Sequence, residues 1–132
     1  MIRGSCLCGG VRYEAEGPLT FMTRCHCVQC RKASGAEFAT NANVSKATFR
    51  VVSGERLLGR FEWSPGNRRA FCSRCGSPLF KEYADRSDVV RLRLGCLDTD
   101  VPERPMAHLF VGEKPAWSEI TDTLPQFEKR PA

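Results

Sequence analysis

The chain of 132 residues is about the size of one globular domain, and its hydrophobic (42%) and charged (27%) fractions are ordinary for such a domain. No apolar run approaches the ~18 residues that a membrane-spanning helix needs, and the first ten residues hold no apolar signal-peptide segment, so we expect a cytoplasmic protein without a membrane partner. The net charge of +5 suggests an anionic partner, yet no basic stripe interleaved with aromatic residues supports nucleic-acid binding.

Short strands dominate the predicted elements. Residues 11–16 alternate, with Val11, Tyr13 and Ala15 on one face and charged residues on the other, which predicts a half-buried strand. Six later segments, most of them rich in β-branched or aromatic residues and bounded by turn residues, predict strands at 48–52, 60–63, 70–72, 78–83, 89–94 and 108–111. Only residues 28–33 favour a short helix. The sequence therefore predicts one mainly β domain over residues 1–132, with a tail from about residue 125 that its proline and charge content would leave loosely held.

The number and spacing of the cysteines favour metal binding over disulfides. A cytoplasmic protein keeps its thiols reduced, and pairing Cys6 with Cys8 or Cys25 with Cys27 would form strained local bridges. If seven of these cysteines bind two zinc ions as thiolates, the thiolates contribute −7 and the zinc ions +4, so the net charge falls from +5 to +2. This smaller charge weakens further the argument that the protein binds an anionic macromolecule. The eight cysteines are Cys6, Cys8, Cys25, Cys27, Cys30, Cys72, Cys75 and Cys96.

The first cysteine group joins distant parts of the chain. Two short pairs far apart in sequence fit a tetrahedral four-thiolate zinc site, because each pair occupies one edge of the tetrahedron. Gly9 and Gly76 follow the pairs and allow backbone amides to turn toward the sulfurs. The expected structural zinc ligands are Cys6, Cys8, Cys72 and Cys75.

The second cysteine group, Cys25, Cys27 and Cys30, offers three ligands to a second zinc ion. Either Cys96 or His108 supplies the fourth ligand and closes the site, or the fourth position is open to water or substrate. His26 lies between two of the cysteines and would face away from the metal if this stretch is extended.

An open site with three thiolates favours a particular chemistry. Its formal charge of −1 makes it a poor activator of water, whereas a thiol suits it, because zinc deprotonates a coordinating thiol. Basic residues near the cysteines either attract an anionic thiol or form a solvated surface; they are Arg24, Arg31, Lys32 and Arg74.

The order of five motifs resembles the glutathione-dependent formaldehyde-activating family, which includes the centromere protein V-like domains. The resemblance covers residues 4–128, and the paired cysteine blocks are its most specific part. The motifs are CLCG (6–9), RCHCVQCRKASGAEF (24–38), FCSRCGSPLF (71–80), LRLGCLD (92–98) and AHLFVGEKPAW (107–117).

The resemblance implies a β-tent (Mss4-like) fold of short antiparallel sheets that zinc stabilises. It also implies a structural zinc at the first cysteine group, a catalytic-type zinc at the second, and condensation of glutathione with formaldehyde to S-(hydroxymethyl)glutathione.

Our leading hypothesis is therefore a zinc-dependent carbon–sulfur lyase that holds a thiol such as glutathione at Cys25, Cys27 and Cys30. His26 and His108 are secondary candidates for proton transfer. Two rival hypotheses stay open: a non-enzymatic module with two closed zinc sites that binds a protein or nucleic acid, and a metal carrier or sensor. The sequence does not indicate an oligomeric state.

Overall fold

The computed structural model describes residues 1–131 and consists mainly of short β-strands. Within these 131 residues the single α-helix is α1 (Val28–Ser34), and three 3-10 helices lie at Glu55–Leu57, Leu94–Cys96 and Val111–Glu113. The strands are β1 (Ile2–Ser5), β2 (Arg12–Ala15), β3 (Thr20–Cys25), β4 (Ala39–Ser45), β5 (Arg50–Ser53), β6 (Leu58–Ser64), β7 (Asn67–Cys72), β8 (Pro78–Glu82), β9 (Val89–Arg93) and β10 (Ala107–Leu109).

These strands form two sheets. A three-stranded sheet has the order β1-β2-β5, and a seven-stranded sheet has the order β10-β3-β4-β9-β8-β7-β6. Pairing is antiparallel except between β3 and β10, which run parallel. The predicted mainly β class is confirmed, as is a helix at residues 28–33. No helix in the described part of the chain is long and apolar enough to cross a membrane.

The seven predicted strands all occur, with boundaries shifted by up to three residues. Three further strands, β1, β3 and β4, were not predicted. The sequences of β1 and β4, IRGS and ATNANVS, contain glycine, alanine or asparagine, which have low strand propensity, so pairing with neighbouring strands decides their conformation. The sequence of β3, TFMTRC, lacks a strict alternation of apolar and polar residues.

One face of the seven-stranded sheet carries the hydrophobic core. Alternate residues of β4 and β9 point toward the small sheet, which contributes Tyr13 and Ala15. The Tyr13 ring contacts Phe80 edge-on, with 6.4 Å between the ring centroids. The other core residues on this side include Ala42, Val44, Val90, Leu92 and Ala70.

The opposite face of this sheet is polar. Asn41 of β4 pairs with Thr23 and with Arg93, and Lys81 of β8 pairs with Arg91 and with Arg69, so all six positions lie on the face away from the core. Cys25, two residues beyond Thr23, lies on this face too and packs against Cys30 of α1 and Leu109 of β10. The polar face is therefore covered by α1 and the C-terminal part of the chain rather than open to solvent.

The C-terminal segment is held more firmly than the sequence suggests. His108 donates a backbone hydrogen bond to Pro125 and accepts one from Phe127, at 2.8 and 2.9 Å. Val111 donates to Phe127 and Phe110 donates to Lys129, at 3.1 and 2.9 Å. As far as Lys129, this segment pairs with the open edge of β10, so the structure has backbone hydrogen bonds where the sequence predicts a loosely held tail from residue 125.

Candidate metal centres and a cationic cleft

The first cysteine cluster lies between the two sheets. Cys6 follows β1 of the small sheet and Cys72 ends β7 of the large sheet. The Sγ atom of Cys8 lies 3.5 Å from that of Cys6 and 3.8 Å from that of Cys72. All four sulfurs, including that of Cys75, lie within 4.8 Å of one another, and all four cysteines are free of disulfides. The structure thus brings together the four residues predicted as one metal site.

Backbone and side-chain donors surround these sulfurs. The amide of Val11 donates to Cys6 Sγ at 3.2 Å, and Nε of Arg74 donates to Cys8 Sγ at 3.3 Å. Gly9 and Gly76 adopt positive φ values of 75° and 79°, although their amides bond the carbonyls of Cys6 and Cys72 rather than a sulfur. The glycines therefore close the turns, and the hydrogen bonds to the sulfurs come from other groups, such as the Val11 amide and the Arg74 side chain.

This environment favours ionised thiols at the exposed side of the cluster. Hydrogen bonds from Ser77 lower the pKa of Cys75 to about 5. A hydrogen bond from the Gly10 amide, followed by one from Arg74, lowers the pKa of Cys8. Thiolates are the form that binds a metal, so the polypeptide is preorganised for that state.

The second cysteine cluster lies at the junction of β3 and α1. Cys25 ends β3, Cys27 is the N-cap residue of α1, and Cys30 lies one turn into the helix. The Cys27 sulfur accepts a hydrogen bond from the Cys30 amide at 3.3 Å, which fixes its position at the start of the helix. The three sulfurs lie within 4.8 Å of one another.

The three thiols of this cluster affect one another. The pKa of Cys30 lies well below its usual range because its sulfur interacts with the thiols of Cys25 and Cys27, and the positive charges of Lys81 and Arg69 add to the effect. The hydrogen bond with Cys27 raises the pKa of Cys25. The pKa shifts of Cys25 and Cys30 therefore have opposite directions, and a bound metal cation would stabilise the thiolate form of all three cysteines.

Within residues 1–131, the structure places no fourth cysteine or histidine at this cluster. Cys96 lies elsewhere, and its sulfur bonds the carbonyl of Pro78 at 3.1 Å. Nε2 of His26 lies 2.8 Å from Nδ1 of His108, whose Nε2 lies 3.0 Å from both carboxylate oxygens of Asp122. The closed arrangement with Cys96 or His108 as ligand is therefore not the one observed.

The two histidines support the loop that carries the cysteines. His26 is completely buried, and burial lowers its pKa to about 4, so it is neutral at pH 7. The amide of His26 also donates to the carbonyl of Leu109 in β10 at 2.9 Å. Neither imidazole lines the cavity described below, so the chain from His26 through His108 to Asp122 positions the loop between Cys25 and Cys27.

Buried cations surround the second cluster. Lys81, Arg91 and Arg93 are only 7%, 4% and 5% exposed. Among the described residues, none of these three cations lies within 4.0 Å of a carboxylate. Burial lowers the pKa of both arginines, which reflects the cost of holding an unpaired charge away from water. Cys25 and Cys30 act in the opposite direction and raise the pKa of both arginines, after Tyr83 in the case of Arg91.

A cleft opens beside the second cluster and consists of two cavities. The first, the cysteine cavity, has a volume of about 330 Å³ and is lined by all three cysteines of the cluster. The second, the asparagine cavity, has a volume of about 240 Å³ and is lined by Asn41. The two share part of their wall: Cys25, Lys81, Tyr83, Phe110 and Arg130.

The cations of the cleft are not those closest to the cysteines in sequence. Arg24 pairs with Asp122 at 2.9 Å, Arg31 donates to the carbonyl of Glu113 and Lys32 is exposed. Arg74 belongs to the first cluster. The expectation that these four residues attract an anionic thiol is not supported, since none of them lines either cavity. The cleft instead uses residues from β7, β8, β9 and the C-terminal segment: Arg69, Lys81, Arg91 and Arg130.

Both clusters fit zinc as a donor set. Tetrahedral zinc with Zn–S bonds of about 2.3 Å places its sulfur ligands roughly 3.8 Å apart, close to the measured 3.5 and 3.8 Å in the first cluster. Soft thiolate ligands exclude calcium and magnesium, which prefer oxygen. The two cysteine clusters can therefore hold metal ions, and their chemistry is consistent with zinc.

Comparisons with known proteins agree with this arrangement. Residues 1–113 match the family model described as glutathione-dependent formaldehyde-activating enzyme. A protein of Halomonas elongata named "Putative glutathione-dependent formaldehyde-activating enzyme" is 35% identical over 129 residues, covering 91% of this chain and 81% of that protein. A crystal structure of a Rhodobacter sphaeroides protein shares the fold, with a TM-score of 0.64 and 24% identity over 76% of this chain and 91% of that one. The resemblance found in the sequence motifs is confirmed, and the chain belongs to the glutathione-dependent formaldehyde-activating enzyme family.

Proposed function

We propose that this protein is a zinc-dependent carbon–sulfur lyase of the cytoplasm that adds a thiol such as glutathione to a small aldehyde such as formaldehyde, or releases it. The observation that carries the proposal is a cluster of three cysteines, without a fourth cysteine or histidine in the described chain, facing a cleft lined by unpaired cations. The family description and the name of the Halomonas relative both refer to glutathione and formaldehyde, which supports this substrate pair.

The two cysteine clusters have different roles in this proposal. Cys6, Cys8, Cys72 and Cys75 complete a four-sulfur shell that leaves no position for a substrate, as structural sites do. Cys25, Cys27 and Cys30 would supply three of the four ligands that zinc usually takes, and all three line the cysteine cavity, where a substrate thiol could supply the fourth. When bound there, zinc supplies a Lewis-acid centre that favours the thiolate form of an incoming thiol.

The cations of the cleft bind and orient the substrate. Glutathione carries two carboxylates and one ammonium group near neutral pH, so it enters as an anion. Lys81 and Arg69 line the cysteine cavity beside Cys30 and attract that negative charge. Because Lys81 is 7% exposed and free of a carboxylate partner in the described chain, its charge acts at low dielectric.

The reaction is balanced without an external oxidant or reductant. The thiol sulfur forms a bond to the aldehyde carbon, the carbon–oxygen π bond breaks, and the proton lost by the thiol ends on the new hydroxyl group. In our assignment, Lys81 stabilises the negative charge that develops on the aldehyde oxygen before this proton arrives. The reverse reaction breaks the same carbon–sulfur bond and regenerates thiol and aldehyde.

Spectroscopy of the cobalt-substituted protein tests the proposal. Glutathione should change the thiolate-to-cobalt charge-transfer bands and should protect Cys25, Cys27 and Cys30 from alkylation, whereas S-methylglutathione, which lacks a free thiol, should do neither. The zinc protein should also accelerate the formation of S-(hydroxymethyl)glutathione above the rate without enzyme. If glutathione changes neither the spectrum nor the alkylation pattern, the proposed function is wrong.

Two cysteine variants test whether the thiol binds at the second cluster. Cys27→Ser removes one sulfur of the second cluster and should abolish both the spectral response and turnover. Cys96→Ser, which changes a cysteine outside both clusters, should retain them. Equal loss in the two variants would contradict the assignment of the second cluster as the thiol site.

A further inference from the structure

Asn41 is a buried polar residue without partners. Its side chain is 0% exposed, and neither its Oδ1 nor its Nδ2 atom has a hydrogen-bond partner among the described residues. Buried amides are nearly always hydrogen-bonded, because removing one from water without a replacement partner costs about 1–3 kcal/mol. Asn41 lines the asparagine cavity, so its two free polar atoms are available to a molecule bound there.

The position of Asn41 is fixed by the sheet. It lies in β4, the third strand of seven, and pairs with Thr23 on one side and Arg93 on the other. Three nearby polar groups are already used by one another: Arg91 donates to Oδ1 of Asn43 at 2.9 Å and to Oγ1 of Thr23 at 2.7 Å. On this face Asn41 has both of its polar side-chain atoms unpartnered, whereas Arg93 and Arg69 each leave one nitrogen unpartnered, and backbone pairing on both sides holds Asn41 rigidly.

The rest of the asparagine cavity favours an anion with an apolar or planar part. Three aromatic side chains, those of Phe21, Tyr83 and Phe110, line it. Phe21 and Phe110 have positive φ values, of 48° and 56°, which are unusual outside glycine. Backbone strain of this kind is common at binding sites. Four cations complete the lining: Lys81, Arg86, Arg91 and Arg130.

We propose that the asparagine cavity is a specificity subsite in which Asn41 pairs with an amide group of the thiol substrate while the surrounding cations pair with its carboxylate. This inference rests on the proposed function, because the thiol of the same molecule must reach Cys25, which the two cavities share. The substrate class is accordingly a thiol that carries both a peptide-like amide and a carboxylate.

The chemistry of the asparagine side chain decides between an amide and a carboxylate at this position. Its Nδ2 group donates and its Oδ1 atom accepts, and an amide offers one acceptor and one donor in return. A carboxylate offers acceptors only, so Oδ1 of Asn41 would face a negative charge without a donor. The cations, in contrast, have only donors and favour the carboxylate.

Binding measurements with three thiols separate these contributions. Glutathione has amides and carboxylates, N-acetylcysteamine has an amide without a carboxylate, and 3-mercaptopropionate has a carboxylate without an amide. The dissociation constant of each is measured from the charge-transfer bands of the cobalt-substituted protein, for the wild type, Asn41→Leu, Asn41→Asp and Thr40→Val. Thr40 is next to Asn41 in β4 and points to the opposite face, so Thr40→Val is the matched control.

We expect both Asn41 variants to bind glutathione and N-acetylcysteamine about 10- to 100-fold more weakly than the wild type does, which corresponds to two lost hydrogen bonds. Binding of 3-mercaptopropionate should change by less than about threefold in Asn41→Leu, and Thr40→Val should match the wild type for all three thiols. Metal content of two ions per chain and an unchanged circular dichroism spectrum confirm that each variant is folded.

Two results would contradict the role of Asn41, and both can be distinguished from a result that contradicts the proposed function. If all three thiols weaken equally in Asn41→Leu, or if none weakens, Asn41 has no role in recognising an amide. If Asn41→Leu does not fold, Asn41→Asp decides, because it retains the size of the side chain and removes its donors. If no thiol changes the spectrum of the wild type, the assignment of the second cluster as the thiol site is wrong, and the subsite proposal is then wrong as well.

Discussion

Single residues on the polar face of the large sheet show how the second cluster obtains its electrostatic environment. Lys81, Arg91 and Arg93 would each be costly to bury without a counter-charge. A zinc site with three thiolates carries a formal charge of −1, and a bound thiolate makes it −2. These cations thus match the charge of the site in its loaded state, and the free protein bears the cost of holding them near one another.

Replacing Lys81 tests this electrostatic coupling. In Lys81→Met the apolar part of the side chain is kept and the charge is removed, so zinc affinity at the second cluster should fall about tenfold, because a nearby charge of this kind stabilises ionised ligands by about one pKa unit. Competition with a chromophoric chelator measures the loss. The control is Lys32→Met, which removes an exposed charge on α1 and should leave zinc affinity unchanged. Equal affinities in the two variants would contradict the coupling.

The cysteines could be predicted from the sequence as site residues, whereas the polar residues of the cleft could not. Cys25, Cys27 and Cys30 are close in sequence, so their spacing alone predicts a shared metal. Asn41, Lys81 and the arginines come together only through strand register, which one sequence does not specify. The alternation in VVRLRL (89–94) did contain the signal that Arg91 and Arg93 share one face. That this face is buried depends on α1 and the C-terminal segment, which cover it from elsewhere in the chain.

At the scale of elements, edge pairing and tight turns secure the frame around both clusters. β10 would be an edge strand if residues 125–129 did not bond to it. The sequence prediction missed this pairing because proline and charge suggest disorder, whereas the bonds involve only the backbone. Similarly, β4 was missed because alanine and asparagine are poor strand formers, although five residues of β9 pair with it.

Truncation tests the role of the C-terminal segment. A chain that ends after Leu124 loses four backbone hydrogen bonds to residues 108–111, together with the packing of Phe127 against Cys25 and Leu109. The free energy of unfolding should fall by about 2–4 kcal/mol, which urea denaturation in the presence of zinc measures. A chain that ends after Arg130 keeps these bonds and should match the full chain. Similar stability of all three chains would contradict the pairing.

The turn before the first 3-10 helix is the tightest backbone approach near the first cluster. Gly54 has φ of 83°, and a Cβ atom there would lie 2.0 Å from the carbonyl oxygen of Gly10, two residues after Cys8. Gly54→Ala should therefore lower the free energy of unfolding by about 3 kcal/mol or more, because neither backbone can move without disturbing the metal loop. Urea denaturation in the presence of zinc measures this loss.

Alanine substitutions at two other glycines distinguish the stability lost through a steric clash from the stability lost through a positive φ. Gly76 has a positive φ of 79° but nothing within 4 Å of the added Cβ atom, so Gly76→Ala should cost only about 1–2 kcal/mol. Gly95 has neither a positive φ nor a neighbour within 4 Å, and Gly95→Ala should be nearly neutral. A loss at Gly54 no larger than that at Gly76 would show that the contact with Gly10 does not determine the stability.

On the scale of the whole molecule, the two cysteine clusters hold different parts together. The first connects the chain after β1 of the small sheet to the end of β7 in the large sheet, while the second lies entirely within the region of β3 and α1. A metal ion in the first cluster would therefore connect the two sheets that enclose the hydrophobic core, and we expect its removal to separate them. Removing it from the second cluster loosens one short helix above the cleft.

Paired cysteine variants should reveal this division of roles. Cys72→Ser, at a completely buried position between the sheets, should abolish cooperative thermal unfolding, because structural zinc contributes about 10–16 kcal/mol of apparent binding energy, more than a small domain's net stability. Cys27→Ser, at a partly exposed position beside the cleft, should bind one zinc ion instead of two and still unfold cooperatively, with a melting temperature within about 10 °C of the wild type. Zinc content by mass spectrometry and calorimetry check both outcomes. If Cys27→Ser unfolds like Cys72→Ser, the second cluster is as necessary for the fold as the first, and its three cysteines cannot be assigned to binding and chemistry alone.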